Sequence, residues 1–288
     1  MRRAAFLTLS DPADYVIDDD LAHEPLRRRG WQVETIPWDR PGTDWKRFEI
    51  VVIRSTWDYQ HHPEAFLAAL AAIERTGTQV ANSLAIVRWN MQKTYLRDLA
   101  TRGVPTLPTL WRERLAPGEL LPLFEEMQSD EVVIKPVMSG TAQGAYRLDH
   151  RKARAQAAEI EAYYVNRPLM MQPFQHHVVG EGEYSLFYFN GAYSHCVLKV
   201  PKPGDFRVQE EHGGDIRAVS AEPALLEAGH ATMAAIEGTP LYARVDFVRR
   251  EDGGFRIMEL ELVEPSLYLR MDPEAPERFA DAIVARAS

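Results

Sequence analysis

The first third of the chain alternates continuous apolar runs with amphipathic segments. "AAFLTLS", "FEIVVIRS" and the short "QVAN" have the length and composition of buried strands. Between the last two, "PEAFLAALAAIERTG" carries apolar residues at helical spacing and ends at a glycine. Strands that alternate with helices predict a mostly parallel sheet that is covered on both faces, which is an α/β arrangement.

The pattern changes after this α/β part. "NMQKTYLRDLATRG" predicts a helix capped by Asn90 and ended by Gly103, and "EVVIKP" predicts a buried strand that points Lys135 inward. A loop of small residues, "VMSGTAQGAYRL", follows. From "PLMMQPFQ" onward the strands are typical of antiparallel pairs, so the later chain is predicted to be α+β.

Two acidic residues interrupt the apolar strand "FRIMELELVEPS" near the end of the chain. Strand alternation puts Glu259 and Glu261 on one face, and Met258 on the other. A two-residue turn at Asp252 and Gly253 would join this strand to "LYARVDFV" and place Asp246 opposite Glu259. Because carboxylates that face one another repel, the hairpin predicts a bound cation at Asp246, Glu259 and Glu261.

Composition narrows the range of partners. The 288 residues have a formal charge of −9, which argues against a general nucleic-acid binder. No apolar run approaches the ~20 residues that span a bilayer, and the single cysteine, Cys196, suits a reducing cytosol. We expect a cytoplasmic protein with a small-molecule substrate and with neither nucleic acid nor membrane as partner, and the sequence leaves a homo-oligomer open.

The basic residues and the loop of small residues suggest a nucleotide site. Lys93 in the predicted helix, Lys135 at the strand end and the loop containing Gly140 and Gly144 could together hold phosphates, with magnesium on the three carboxylates. The loop contains neither G-x-x-x-x-G-K-[ST] nor G-x-G-x-x-G, so it is not a P-loop. The pairs His61-His62 and His176-His177 are better explained as solvated loop residues than as metal ligands, since adjacent residues do not share a face.

With these residues in place, the chain resembles the ATP-grasp superfamily nearly end to end, and most closely its bacterial glutathione synthetase branch. The resemblance implies a three-lobed ATP-grasp fold, α/β in its first part and α+β later. It implies an N-terminal substrate-facing domain over residues 1–87, a central lid domain over 88–169 and a C-terminal domain with the metal site over 170–288.

The resemblance also implies nucleotide-binding residues. "VANSLAIVRWNMQKTY" and "VVIKP" match the segments that carry the two ATP lysines, here Lys93 and Lys135. "MMQPF" resembles the hinge that binds adenine, around Gln172 and Phe174, and "GEGEYS" places Glu183 at the nucleotide ribose. The loop around Gly140 to Gly144 would act as a lid that excludes water from the intermediate.

Other motifs imply catalytic and substrate contacts. "EIVVIRSTWDYQ" matches a strand that ends in a substrate-facing arginine, here Arg54, and "HCVLKVPKPGDFRVQEEHGG" places Lys199 and Arg207 at phosphate and substrate. Asp58 and Glu264 could face an ammonium group, although a purely structural role in their loops is about as probable. Strand alternation puts His195 on the same face as Lys199, and a substrate contact and a structural role remain equally open for it.

The metal ligands of the family, an Asp and an E-x-N that hold two magnesium ions, correspond to Asp246, Glu259 and Glu261. Here Glu261 replaces the asparagine, and Lys199 replaces an arginine and so offers no bidentate fork. These departures indicate a distinct subfamily. "IRSTWDY" and "ELELVEPSL" are similar to the branch of D-cycloserine-forming cyclo-ligases.

The implied activity is ATP-dependent ligation through an acyl phosphate on a small amino-acid-like substrate. Cyclisation of one molecule and joining of a carboxylate to a separate amine both remain open. A small-molecule kinase and a non-catalytic nucleotide-binding module are the rival classes, and the intact carboxylate trio weighs against the second.

Overall fold

Three sheets form the framework of the protein in the computed structural model, which describes residues 1–12, 15–140 and 142–287. The strands within these residues are β1 Arg2–Thr8, β2 Trp31–Pro37, β3 Ile50–Ser55, β4 Gln79–Ala81, β5 Leu110–Arg112, β6 Glu131–Pro136, β7 Tyr146–Asp149, β8 Leu169–Pro173, β9 Glu183–Phe189, β10 Ala192–Val200, β11 Asp215–Val219, β12 Tyr242–Arg249 and β13 Phe255–Glu261.

Helices connect and cover the sheets. They are α1 His23–Arg28, α2 Pro63–Arg75, α3 Leu84–Asn90, α4 Tyr95–Thr101, α5 Leu120–Met127, α6 His150–Tyr164, α7 His176–Gly180, α8 Pro223–Ala234 and α9 Ala275–Arg286. Short 3₁₀ turns occur at Asp19–Ala22, Trp45–Arg47, Tyr59–His61, Glu210–His212 and Leu269–Met271. None of the described helices is long and apolar enough to cross a membrane.

The first sheet has the order β2-β1-β3-β4 and is parallel throughout, which confirms the α/β prediction. Its strands are apolar on both faces because both are covered. One face, which includes Leu7 and Ile53, packs on α2 and α3. The other face, which includes Phe6 and Val52, packs on α9 and on the third sheet.

The second and third sheets are antiparallel, whereas the sequence predicted this arrangement only for the strands from residue 168 onward. The second has the order β5-β8-β6-β7 and packs on α5 and α6. It includes β8, so the central sheet extends past residue 169, where the sequence analysis divided the chain. The third sheet has the order β11-β10-β9-β12-β13 and packs on α4 and α8.

The helix predicted from Asn90 to Gly103 is wrong in its first turn. Asn90 is the last residue of α3 and does not cap a helix, while α4 begins only at Tyr95. The buried Asn90 side chain donates to the Leu260 carbonyl and accepts from the Leu262 backbone N–H, because those groups on the third sheet need partners. Lys93 therefore lies in the turn between the helices, where its backbone N–H bonds to the Val137 carbonyl.

Candidate active site

One face of the third sheet changes from apolar to charged along its strands. On β12 the alternation runs from Tyr242 through Arg244 to Asp246, and on β9 it runs from Phe189 to Glu183. The apolar half packs against the first sheet and α9. The charged half is left at the junction of the three sheets. Its members are Glu183 and Ser185 on β9, Lys199 on β10, Arg244 and Asp246 on β12, and Glu259 and Glu261 on β13.

Asp246 lies opposite Glu259, as predicted, but the connection differs from the predicted two-residue turn. β12 and β13 are joined by a five-residue loop, residues 250–254. A bulge between Phe247 and Asp246 leaves Met258 without a paired residue and restores the predicted alignment. The bulge also turns Met258 toward the same cavity as Glu259, and not to the opposite face as strict alternation predicted.

The three carboxylates converge. Oxygen atoms of Asp246, Glu259 and Glu261 all lie within 4.8 Å of one another. Hard carboxylate oxygens in this number suit magnesium, so the donor set fits the predicted ion. In the protein alone, basic side chains balance the charge: Lys93 Nζ lies 3.0 Å from Glu259 Oε1, Lys199 Nζ lies 3.2 Å from Asp246 Oδ2, and Arg244 pairs with both Asp246 and Glu261.

These surroundings separate the pKa values of the trio. Burial raises the pKa of Asp246, but Arg244 and Lys199 outweigh it and leave the value below the usual range. Burial acts likewise on Glu259, whose pKa is lowered overall by Lys93 and Lys135. For Glu261, burial prevails over Arg244 and raises the pKa to about 7. Two of the three therefore carry full charge at neutral pH.

A cavity of about 150 Å³ lies between the second and third sheets; we call it the β8 cavity. It brings together seven of the residues predicted to bind the nucleotide or act on it: Lys93, Lys135, Gly140, Gln172, Phe174, Glu183 and Arg207. Sequence reasoning missed its apolar wall, where Val178, Val208 and Met258 line the cavity and pack on the buried Val248. Only the bulge puts Met258 there.

Both predicted nucleotide lysines point into this cavity. Burial lowers the pKa of Lys135, which lies among charged groups and not in free solvent. Lys93 donates to the Ser139 carbonyl at 3.0 Å and so contacts the start of the predicted lid loop. A Cβ added at Gly140 would lie 2.2 Å from Gln60 Oε1, so a side chain at this position would require the Gln60 amide to move. Thr141 of that loop lies outside the described residues.

A second cavity, of about 110 Å³, lies between the first and third sheets; we call it the central cavity. Its lining includes the predicted Lys199 and Glu264, and also Arg244, which the sequence analysis missed. Arg244 could have been found, because it stands two residues before Asp246 and therefore shares its strand face. The two cavities share Glu259 and Glu261 as lining, so the carboxylates stand where the cavities meet.

Lys199 and Arg207, the two basic residues predicted to take part in catalysis, differ in burial and in their acidic partners. Lys199 is buried between Glu183 Oε1 at 2.5 Å and Asp246 Oδ2 at 3.2 Å. Burial alone would lower its pKa, but these carboxylates raise it, so Lys199 stays charged. Arg207 is more exposed and forms a two-point contact with Asp205, at 3.0 Å from Nε and 2.8 Å from Nη2.

Arg54 and Asp58, which were predicted to contact substrate, bond to other parts of the protein. Arg54 is 1% exposed and donates to Asp19 Oδ1 at 2.9 Å and to the Pro265 carbonyl at 2.8 Å. Asp58 accepts from Trp38 Nε1 at 2.7 Å. Neither is among the described residues that line the two cavities. Arg54 turns from the cavities because its own buried guanidinium needs hydrogen-bond partners. Asp58 does so because it accepts from the indole N–H of Trp38, which needs one too.

His195 is also structural. Its Nε2 lies 3.0 Å from the Leu267 carbonyl, and its ring stacks on Phe187 at 4.3 Å between centroids. Burial lowers its pKa to about 4, so the ring is neutral at physiological pH.

A larger cavity lies elsewhere. Its volume is about 760 Å³, and it runs between β4 and the segment Glu237–Leu241. Its charged lining residues pair with one another or with nearby groups, as Arg102 does with Glu237. Volume alone therefore does not mark the reactive centre; the convergence of the carboxylates and lysines does.

A parallel sheet, two antiparallel sheets and a carboxylate trio at the meeting point of two cavities define an ATP-grasp ligase. Residues 4–82 match the family model for the N-terminal domain of D-cycloserine synthetase DcsG. The cycloserine biosynthesis protein DcsG of Streptomyces lavendulae is 33% identical over 302 residues, 96% of each chain. The chain belongs to this family of ATP-grasp ligases.

Solved structures agree with this assignment. The crystal structure of D-cycloserine synthetase DcsG matches with a TM-score of 0.86 and 30% identity, over 99% of this chain and 100% of that one. The ATP-grasp ligase PsnB complexed with a minimal precursor matches with a TM-score of 0.68 and 18% identity, over 99% of both chains. A D-alanine–D-alanine ligase from Bacillus anthracis complexed with ATP matches with a TM-score of 0.70 and 13% identity, over 100% and 97%. The last two show the fold alone.

Proposed function

We propose that this ligase activates the carboxylate of a small amino-acid-like substrate as an acyl phosphate, and that an amine then displaces the phosphate to form a C–N bond. The observation that carries the proposal is the meeting of the two cavities at Glu259 and Glu261. A nucleotide in the β8 cavity and a carboxylate in the central cavity would present their reacting ends to each other there.

The β8 cavity suits a nucleoside triphosphate. Its apolar wall and the Phe174 ring offer a slot for the base, with Gln172 at the end of β8 beside it. Glu183, Lys93 and Lys135 also line this cavity, and we assign Glu183 to the ribose hydroxyls and the two lysines to the phosphates. Arg207, at the edge of the cavity, can fork onto phosphate oxygens once it leaves Asp205.

Asp246, Glu259 and Glu261 would hold magnesium, and we propose two ions, as the family resemblance implies. Bound magnesium would neutralise charge on the transferring phosphoryl group. The protein supplies the rest by position: Arg244, already paired with two of the carboxylates, faces the central cavity on the side where the substrate oxygen would lie. Lys199 holds Glu183 and Asp246 in place from behind.

The central cavity favours a compact substrate with charge of both signs. Arg244 can face a carboxylate and Glu264 an ammonium group, while Arg54 is withdrawn from this role and supports the loop at Pro265. The small volume fits a substrate that folds back on itself, and DcsG is by name a cycloserine biosynthesis protein. We therefore propose intramolecular cyclisation ahead of joining two molecules, and a cytoplasmic reaction.

The test is ADP release from ATP and magnesium across a panel of amino acids and O-substituted serines, repeated with hydroxylamine. An acyl phosphate gives a hydroxamate, whereas a kinase product does not. Glu259→Gln should remove most of the turnover that wild-type protein shows, while circular dichroism stays unchanged. ADP release that yields a stable phosphorylated product and no hydroxamate would assign the protein to the kinases.

A further inference from the structure

Side chains from other parts of the protein hydrogen-bond to the backbone of residues 260–267, around and after the last predicted metal ligand. β13 is an edge strand and the backbone leaves the sheet beyond it, so the outward polar groups of Leu260 and of the residues after Glu261 need other partners. Side chains from several elements provide them: Tyr95 and Asn90 to Leu260, Asn90 and Asn82 to Leu262, Tyr242 to Val263, Trp57 to Glu264, Arg54 to Pro265, and His195 to Leu267. This segment, residues 260–267, is a rigid support for whatever side chain it presents to the cavity.

Besides Glu261, this segment presents the carboxyl group of Glu264 to the central cavity. The Glu264 carbonyl accepts from Trp57 Nε1 at 2.8 Å, so the backbone is fixed, while its carboxyl lines the central cavity. The Tyr59 hydroxyl, from the 3₁₀ turn after β3, faces the carboxyl. Glu264 thus stands on the substrate side of the trio, three positions along the chain from Glu261.

We propose that Glu264 is the proton acceptor for the attacking amine. The inference rests on the proposed ligase function and deepens it. A substrate amine that enters as an ammonium ion cannot attack until it loses a proton, and a fixed carboxylate in the substrate cavity is placed to take it.

The step balances as follows. One N–H proton passes to the Glu264 carboxylate, and the freed nitrogen lone pair forms a bond to the acyl carbon. The bond from that carbon to the phosphate oxygen then breaks. The second nitrogen proton leaves with the phosphate as HPO₄²⁻, and Glu264 afterwards returns its proton to solvent.

The surroundings of Glu264 support such a role. Burial, reinforced by Glu261, raises its pKa to about 8, and Lys93, Tyr59 and Arg244 oppose the rise. A base whose pKa lies near the working pH both takes and releases a proton readily. An ammonium ion held against the carboxyl would lower this pKa and favour the charged form that accepts the proton.

The experiment separates the two half-reactions in wild-type protein and Glu264→Gln, with the substrate that gives ADP release in the panel. Hydroxylamine is already a free base near neutral pH and needs no proton acceptor. At saturating substrate, the variant should therefore lose roughly 10²-fold in the rate of cyclised or ligated product at pH 7, and much less in the rate of hydroxamate formation. The product deficit should shrink as pH rises, because solvent then deprotonates the amine.

If Glu264→Gln forms product at the wild-type rate, the proposal is wrong. An equal loss of hydroxamate and product would also overturn it, because such a loss indicates that Glu264 supports the structure or the nucleotide site. A product deficit that does not change with pH would also overturn it. If wild-type protein itself forms no hydroxamate, the ligase function fails first and this inference falls with it.

Discussion

At the scale of single residues, the carboxyl groups of the site differ because their neighbours differ. Asp246 and Glu259 have basic partners that hold their pKa values down, whereas burial dominates at Glu261 and Glu264 and raises their values to about 7 and about 8. Four carboxyl groups of similar intrinsic acidity thus behave differently: Asp246 and Glu259 stay charged, whereas Glu261 and Glu264 titrate near neutral pH.

Glu264→Gln should change the pH dependence of stability. The pKa of Glu264 is higher in the folded protein than its ordinary value of 4.5, so its contribution to stability is present below that value and is lost as pH rises through about 8. Without ATP and magnesium, the variant should gain on wild-type by about 1 kcal/mol or more between pH 5 and pH 8.5, since one pKa unit corresponds to about 1.4 kcal/mol. Urea unfolding at both pH values measures the gain. A difference that is the same at both would contradict the assignment.

Sequence reasoning was strongest for residues whose role follows from strand alternation. It placed Asp246 and both glutamates on one face, and Lys135 pointing inward. It could not foresee the partners of Arg54 and Asp58, because Asp19 and Trp38 are distant in sequence or in a loop.

At the scale of elements, the β12–β13 hairpin shows what local patterns leave out. The Asp-Gly dipeptide correctly predicted a hairpin, but neither the five-residue loop nor the bulge at Met258 has a local signal. The two deviations offset each other, so Asp246 still faces Glu259. The side chain that changed face, Met258, joins the apolar wall of the β8 cavity.

Asn90→Ala should destabilise the attachment of β13, the strand that carries Glu259 and Glu261. The change leaves the Leu260 carbonyl and the Leu262 N–H buried without their present partner, which costs about 1–3 kcal/mol for each group. We expect a lower free energy of unfolding and weaker magnesium-dependent binding of a non-hydrolysable ATP analogue, measured by urea unfolding and calorimetry.

The exposed Asn166 provides the matched control, and Asn166→Ala should stay within about 0.5 kcal/mol of wild-type. Equal stability of the two alanine variants would show that the bonds from Asn90 do not hold the strand.

At the scale of the whole molecule, the site exists only because three sheets meet. Each sheet is predictable from its own segment, but the junction is not, since no local pattern encodes which face of one sheet packs on another. Buried polar contacts fix this arrangement: Arg54 on β3 bonds Asp19 and reaches across to Pro265 beyond β13.

Arg54→Met should be strongly destabilising, by about 3–5 kcal/mol, because it leaves Asp19 as a buried carboxyl without its cation. Burial already raises the pKa of Asp19 against the pull of Arg54. Adding Asp19→Asn should recover part of the loss, and a double-mutant cycle by urea unfolding measures the coupling. Strictly additive effects of the two changes would contradict a direct Arg54–Asp19 contribution.

The central claim is that the γ-phosphoryl group of ATP passes to a substrate carboxylate where the two cavities meet. The most direct measurement uses the active substrate labelled with ¹⁸O in its carboxylate, followed by mass spectrometry of the inorganic phosphate released on turnover with ATP and magnesium. Transfer through an acyl phosphate predicts one ¹⁸O atom in each phosphate, because the carboxylate oxygen leaves with it. Phosphate that carries no label, with the ¹⁸O retained in the organic product, would contradict the account.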